Sequence, residues 1–252
     1  MIFYDWSGGM ESSAMLVVDR VRISETGAIV RTVNTGKQFP EWEQSRKQIE
    51  QILGLDIVVV PNRITFEEYL FEKGGMLRKG MNDCSRRMKR GNLSRHMHSF
   101  PRPYEVNLGF NAGEQKRADD FTDRNERDWL HWRYPLIRAG IHRAPTWAIC
   151  EDAGFSIVLD VYRRMGRMDC YFCPNQKESQ ALKVVEHYPH LAAEWNDAEE
   201  RKGYSFMPVP LNVLVDYSTR QGDLFNVSPI SCSCFGGNDD ATGESDESEG
   251  AA

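Results

Sequence analysis

The sequence predicts a doubly wound α/β fold: a mainly parallel sheet with helices on both faces, followed by a helical C-terminal region. Three observations predict it. Apolar runs of strand length alternate with segments of helical spacing from residue 2 to about residue 110. One of those runs, residues 55–60, is β-branched and continuous, as a strand covered on both faces should be. Three segments, residues 7–13, 34–41 and 109–117, each follow a predicted strand. In a parallel sheet they would share the rim at the carboxyl ends of the strands, where ligands bind.

The elements follow in order. Residues 2–6 are a short apolar run that ends at Ser7-Gly8-Gly9, and residues 10–21 have helical spacing, with Ala14, Met15, Val17 and Val18 apolar. Residues 28–33 read as a second strand. Residues 41–53 read as a helix that starts near Pro40 and ends at Gly54. After the strand at 55–60 comes a short helix at 66–73. A long basic helix spans 82–98, capped by Asn82 or Asp83. Residues 104–110 are another strand. Residues 145–153 are a helix closed by Gly154, and residues 156–161 read as a strand. Beyond Cys173, residues 176–187 and 191–202 are helical, the second ending at Gly203. No internal repeat is visible.

The 252 residues carry 31 Lys+Arg against 37 Asp+Glu, a formal net charge of −6. Six of those acids (Asp239, Asp240, Glu244, Asp246, Glu247 and Glu249) stand in residues 236–252, which contain no base; 31 of each sign remain elsewhere. The acidity is therefore a property of the terminal stretch and does not argue against an anionic ligand. That stretch has nothing to bury and is expected to be disordered. A hydrophobic content of 40% and a charged content of 27% are ordinary for a soluble globular chain. No apolar run approaches the roughly 20 residues of a membrane span, and the first residues lack the pattern of a signal peptide. The expectation is a cytoplasmic protein with no membrane partner. In a reducing compartment six cysteines are metal ligands or redox groups rather than disulfides.

Residues 7–13, Ser7-Gly8-Gly9-Met10-Glu11-Ser12-Ser13, lie between a strand and a helix. Two glycines let the backbone turn tightly and approach a ligand. The start of the following helix offers free N–H groups and a partial positive charge, which suits phosphate. Ser7, Ser12 and Ser13 add hydroxyls. The plain alternative is a tight turn with serine caps. This is not a Walker A loop, because no Gly-Lys-Ser/Thr follows.

The loop resembles the PP-loop, Ser-Gly-Gly-x-Asp-Ser, of the adenine nucleotide α-hydrolase superfamily, and the chain is similar to the phosphoadenosine phosphosulfate (PAPS) reductase family. Further segments carry the resemblance in the same order. Residues 34–41, Asn34-Thr35-Gly36-Lys37-Gln38-Phe39-Pro40-Glu41, are similar to Asp-Thr-Gly-x-x-Phe-Pro-Glu. Cys84 and Lys89 stand as in Cys-x-x-x-x-Lys. Residues 109–117 resemble Gly-Ile-Arg-Ala-Asp-Glu-Ser-x-Arg and supply Glu114 and Arg117. Tyr134-Pro135-Leu136 and Cys170-x-x-Cys173-Pro174 complete the set, which covers about residues 1–200.

The resemblance implies a domain at residues 1–165 that binds an adenine nucleotide, ATP or adenylyl sulfate, with Mg2+ as a possible accompanying ion. Residues 166–235 would form a Cys-x-x-Cys and helical region packed on it, and residues 236–252 the acidic tail. The loop would hold the phosphates through Ser7, Gly8, Gly9, Glu11, Ser12 and Ser13. Asn34, Thr35, Gly36 and Phe39 would lie near the nucleotide. Lys89, Glu114 and Arg117 would face the anionic group, in a stretch where Arg78, Lys79, Arg86, Arg87, Arg90 and Arg95 also gather. The plain alternative for the outward half of those bases is a solvated helix face. Two departures stand out. Glu11 replaces the family's Asp and is longer by about 1.5 Å, and a misplacement of about 1 Å can cost on the order of 100-fold in rate. Asn34 replaces the Asp of the second motif and removes a negative charge.

Cys170-x-x-Cys173 presents two thiols with a spacing suited to one metal centre. Cys84 and one of Cys232 and Cys234 would complete four, whereas Cys150, in an apolar helix, reads as core. Four thiolates fit an iron–sulfur cluster or zinc, and free buried thiols are the plain alternative. The resemblance favours a 4Fe-4S cluster on Cys84, Cys170, Cys173 and one of the last pair, taken as Cys232. Ser231-Cys232-Ser233-Cys234-Phe235 departs from the Glu-Cys-Gly-Leu-His ending of the assimilatory reductases, and Cys234 as nucleophile or persulfide carrier is an expectation apart from the resemblance. The histidines form no triad or metal pattern. The expected activity is sulfur reduction or sulfur transfer, with a thiol or thioredoxin-like donor. The rival readings are a non-catalytic nucleotide-binding protein and a sulfur-transfer component acting on DNA or tRNA.

Overall fold

The computed structural model describes residues 1–216; Cys232, Cys234 and the acidic stretch lie outside the described residues. Five parallel strands form the sheet, in the order β3–β2–β1–β4–β5: β1 (Ile2–Asp5), β2 (Ile29–Thr32), β3 (Ile57–Val59), β4 (Tyr104–Leu108) and β5 (Leu130–Arg133). Central β1 pairs Phe3 with Ile29 on one side and with Val106 on the other. Its neighbouring side chains point to opposite faces, and both Phe3 and Tyr4 are fully buried. Tyr4 enters the larger core, built largely from the helices; Phe3 enters a smaller one with Met97, Tyr104, Val106 and Leu130. The strand order reverses at β1, so a crevice opens at the carboxyl ends of β1 and β4, where this topology places ligands.

The helices are α1 (Met10–Val18), α2 (Arg20–Thr26), α3 (Glu41–Leu53), α4 (Gly91–Met97), α5 (Gln115–Asn125), α6 (Pro135–Arg138), α7 (Arg143–Asp152), α8 (Ser156–Met165), α9 (Glu178–His187) and α10 (Pro189–Lys202). The expected basic helix enters α4 through a wider π-helical turn, Ser85–Arg90, and a second such turn, Glu68–Glu72, replaces the regular helix expected at 66–73. The expected side-chain cap is not made: the Asp83 carboxylate instead accepts hydrogen bonds from the Tyr69, Arg86 and Arg87 side chains. Cys150 is fully buried, as read from the sequence. Among the described residues no helix is long and apolar enough to cross a membrane.

Residues 156–161 are not a strand. They open α8, which buries Val158, Leu159, Val161 and Met165. The β-branched run imitates a strand, but the buried positions follow helical spacing, and packing overrides propensity. The sequence reading also passed over α5, which buries little beyond Ala118, and β5, a half-exposed edge strand. Neither has the apolar pattern that marks an element with a buried face.

Candidate active site

The loop after β1 is held by its own hydroxyls. The Ser12 and Ser13 hydroxyls each donate to the Gly9 carbonyl at 2.9 Å. Ser12 Oγ accepts from the Ser7 amide at 3.2 Å, and Ser7 Oγ accepts from the Gly9 amide at 3.3 Å. The Trp6 indole donates to Ser13 Oγ at 2.9 Å. Ser13, fully buried, therefore shapes the loop rather than facing a ligand. Gly8 has φ +91°, and a Cβ there would meet the Trp42 indole at 2.6 Å. Both facts require glycine. The first-turn amides of α1, at Glu11 and Ser12, have no acceptor within the helix, as at any helix start.

This loop borders a cavity of about 1070 Å³. Ser7, Gly9, Glu11 and Ser12 line it from the loop after β1; Gly109, Phe110, Glu114 and Arg117 from the segment after β4; Lys89 from the basic turn; Arg143 from α7; Tyr162 from α8; and Arg167, Asp169 and Cys173 from the segment after α8. The two rims touch: a Cβ on Gly109 would lie 2.8 Å from Ser12 Cα. Beyond Gly109, Asn111 accepts from the Gly113 amide at 2.9 Å, and Glu114 in turn accepts from the Asn111 amide at 3.2 Å. This reciprocal cap fixes Glu114, whose other oxygen pairs with Arg117. The Arg117 guanidinium rests 4.4 Å from the Phe110 ring centre and is otherwise exposed. Glu11 pairs with Arg143 at 3.3 Å. A longer carboxylate thus reaches α7.

The second motif mostly faces away from the cavity. Asn34 Oδ1 accepts from the Gly36 amide at 2.7 Å, turning the exposed Gly36. Phe39 is buried, with ring centres 5.1 Å from Tyr188 and 6.3 Å from Tyr171. Thr35 meets Cys170 Sγ at 3.1 Å, and the Tyr171 amide donates to the Lys37 carbonyl at 3.0 Å. Lys37 itself is buried against Glu194, over the rings of Phe66 and Phe172. These residues brace the Cys170–Cys173 turn.

Cys84, Cys170 and Cys173 lie close enough to sense one another. Burial, then the charges of Cys170 and Cys173, push the Cys84 thiol up to about 11. Lys89 is raised first by the Cys170 charge, against burial, and further by Asp169, Cys173 and Cys84. Burial opposes the Arg167 charge, but Asp169 and Cys173 outweigh it, and Arg167 donates to Asp169 at 2.9 Å. Three thiols beside two cations suit a thiolate-bound group in donor chemistry. Among the described residues no three His, Cys, Asp or Glu side chains are placed so that they could hold a metal ion. The fourth expected ligand, Cys232, and the expected nucleophile, Cys234, lie outside the described residues.

Sequence reasoning missed Tyr162, Arg143, Arg167 and Asp169. Arg167 and Asp169 had an available signal, their place just before Cys170. Tyr162 stands one residue past the segment read as a strand, so its place on a helix facing the loop was not seen, and nothing local marks Arg143.

Residues 1–107 match the model of the phosphoadenosine phosphosulfate reductase domain, so the resemblance read from the motifs is borne out over that part of the chain. The chain is 25% identical over 202 residues to an uncharacterized protein of Methanocaldococcus jannaschii, covering 79% of this chain and 47% of that protein. The chain thus spans about half the length of that curated relative. Among solved structures it is similar to the U34-tRNA thiolase NcsA of Methanococcus maripaludis with its 4Fe-4S cluster, at 13% identity and a TM-score of 0.40, covering 92% of this chain and 74% of that one. It is also similar to the NH3-dependent NAD synthetase of Campylobacter jejuni, at 12% identity and a TM-score of 0.40, covering 80% and 85%.

Proposed function

We propose that the chain binds an adenine nucleotide, ATP or adenylyl sulfate, at the rim of its sheet and uses it in sulfur reduction or sulfur transfer. The observation that carries the reading is one cavity bordered by the residue 7–13 loop, Lys89, Arg117 and Cys173, in a chain whose first 107 residues match the PAPS reductase domain. The Glu11 and Ser12 amides and the α1 dipole would hold phosphate oxygens. Lys89 and Arg117 would neutralise the phosphate or sulfate, and Glu114 orients Arg117. Cys84, Cys170 and Cys173, with Cys232, would hold a 4Fe-4S cluster, or zinc as the alternative, and a cluster would supply electron or sulfur handling.

Two balanced chemistries suit these parts. A nucleophile attacking the α-phosphorus of ATP forms an adenylated acceptor and releases pyrophosphate, after which sulfur displaces AMP. Alternatively, a thiolate, Cys234 by this reading, attacks the sulfur of adenylyl sulfate. An S–S bond forms, AMP leaves, and an external thiol donor then releases sulfite. Anaerobic purification followed by a nucleotide panel separates them. Pyrophosphate from ATP supports transfer, sulfite from adenylyl sulfate supports reduction, and binding of neither nucleotide overturns the proposal. A non-catalytic nucleotide-binding role is the second reading. The Glu11–Arg143 pair favours it by occupying the loop's carboxylate, and tight binding without either product would establish it.

A further inference from the structure

We propose that Tyr162 is a phosphate-positioning residue of this site, a role that rests on the nucleotide reading above and extends it to a side chain on α8. α8 packs against α3 and α7, and this brings the Tyr162 phenol into the loop. Its oxygen accepts the Met10 amide proton at 3.0 Å. A Cβ built on Gly9 would lie 3.0 Å from the same oxygen, tighter than ordinary contact. Gly9 is therefore the residue that lets a phenol stand at the mouth of α1.

The phenol borders the cavity together with Gly9, Glu11, Arg143 and Arg167. Burial, then the charge of Glu11, raises its pKa, so the oxygen keeps its proton. With one lone pair on the Met10 amide, that proton remains to be donated, and among the described residues no acceptor takes it. A neutral donor beside first-turn amides suits a phosphate oxygen, since hydrogen bonds to an ionised acceptor are the strong ones. The phenol would then bridge the loop and the anion, and the class of ligand it reads is a phosphate or pyrophosphate group rather than the nucleoside.

The alternative is that the phenol only caps α1. Calorimetric titration of the full-length chain with ATP, inorganic pyrophosphate and adenosine separates the two. Tyr162→Phe keeps the ring and removes only the hydroxyl. The expected result is about a tenfold loss of affinity for ATP and pyrophosphate, unchanged adenosine affinity, and a thermal midpoint close to that of the parent. Gly9→Ala, whose methyl displaces the phenol, should give the same selective loss. Equal ATP affinity in parent and Tyr162→Phe overturns the assignment, as does a parallel loss for adenosine, which marks a structural role. If the parent binds neither ATP nor pyrophosphate, the nucleotide reading fails, and this assignment with it.

Discussion

The Arg31 guanidinium, 2% exposed, lies 2.7 Å from the Asp5 carboxylate, 15% exposed, so β1 and β2 are joined by a largely buried ion pair where they reach the cavity. Arg31 also donates to the Leu93 carbonyl at 2.9 Å and sits 4.2 Å over the Phe3 ring. Removing one partner of a buried pair leaves the other charge uncompensated, at about 3–5 kcal/mol. Arg31→Met should therefore lower the unfolding free energy by about 3 kcal/mol in urea titration. Adding Asp5→Asn to it should restore part of that loss. A single variant that unfolds like the parent would show that water already screens the pair.

Gly109 fixes the distance between the two rims of the site. A methyl there would meet Ser12 backbone atoms at 2.8 and 2.9 Å, and backbone cannot swing aside as a side chain can. Overpacking costs of about 1–3 kcal/mol apply. Gly109→Ala should lower the thermal midpoint and weaken ATP binding at least tenfold, because it pushes the α1 amides out of register. Loss of stability with unaltered nucleotide affinity would separate this contact from the site.

Cys150 is fully buried beneath the loop, 3.6 Å from the Met10 carbonyl. Burial, then the Glu11 charge, pushes its thiol up to about 12. Only the thiolate is reactive. At pH 8 iodoacetamide should leave Cys150 unmodified in the folded chain and label it at the rate of unfolding, as peptide mass mapping would read. Prompt labelling would mean that the α1–α7 interface opens readily.

The sheet was legible because its strands are apolar runs, and in central β1 Phe3 and Tyr4 are buried on opposite faces. Residues 55–60 marked a strand but not its place: β3 is an edge strand, with Val58 41% and Val59 39% exposed, not one covered on both faces. The loop at residues 7–13 was legible through its two glycines, and at Gly8 only glycine tolerates the close approach. Gly109 was legible only through the resemblance of residues 109–117; its contact with Ser12 lies 97 positions away in sequence. Residues 156–161 were misread because Ile157, Val158 and Val161 favour strands locally, while tertiary packing selects a helix. That misreading also hid Tyr162, whose meaning is a contact 152 residues away in sequence. The same limit applies to Glu11: its partner Arg143 sits on another helix, and no local pattern links them.

Glu41, in the second motif, accepts from Tyr188 at 2.7 Å and Arg164 at 2.8 Å. Burial raises its pKa, but these two bonds outweigh burial and hold the carboxyl below its ordinary range. A depressed folded-state pKa adds stability above the unfolded-state value of about 4.3, and that stability is lost as pH falls through the folded-state value. Glu41→Gln should thus be less stable than the parent at pH 7, by about 1 kcal/mol. The gap should close as the solution is taken from about pH 5 into the acid range. A gap independent of pH in denaturant titrations would assign the loss to packing instead of charge.

Glu199 on α10 is 6% exposed and gathers three donors: the Trp195 indole at 3.0 Å, the Phe206 amide at 2.8 Å and the Leu211 amide at 3.2 Å. It ties the chain after α10 back to the core. Glu199→Ala strands those donors and should cost about 3 kcal/mol in urea. Glu199→Gln keeps the acceptor for Trp195 and Phe206 but turns an N–H toward Leu211, so its cost should be intermediate. The effect should reach the candidate site. Trp195 stacks on Phe172, ring centres 6.1 Å apart, and Phe172 precedes Cys173. Alkylation of Cys173 should therefore be faster in Glu199→Ala than in the parent under fully native conditions. If Cys173 labels at the parent's rate while stability falls, the brace ends at Phe172 and the cysteine turn is held by its own contacts, among them Thr35, Lys37 and Gln176.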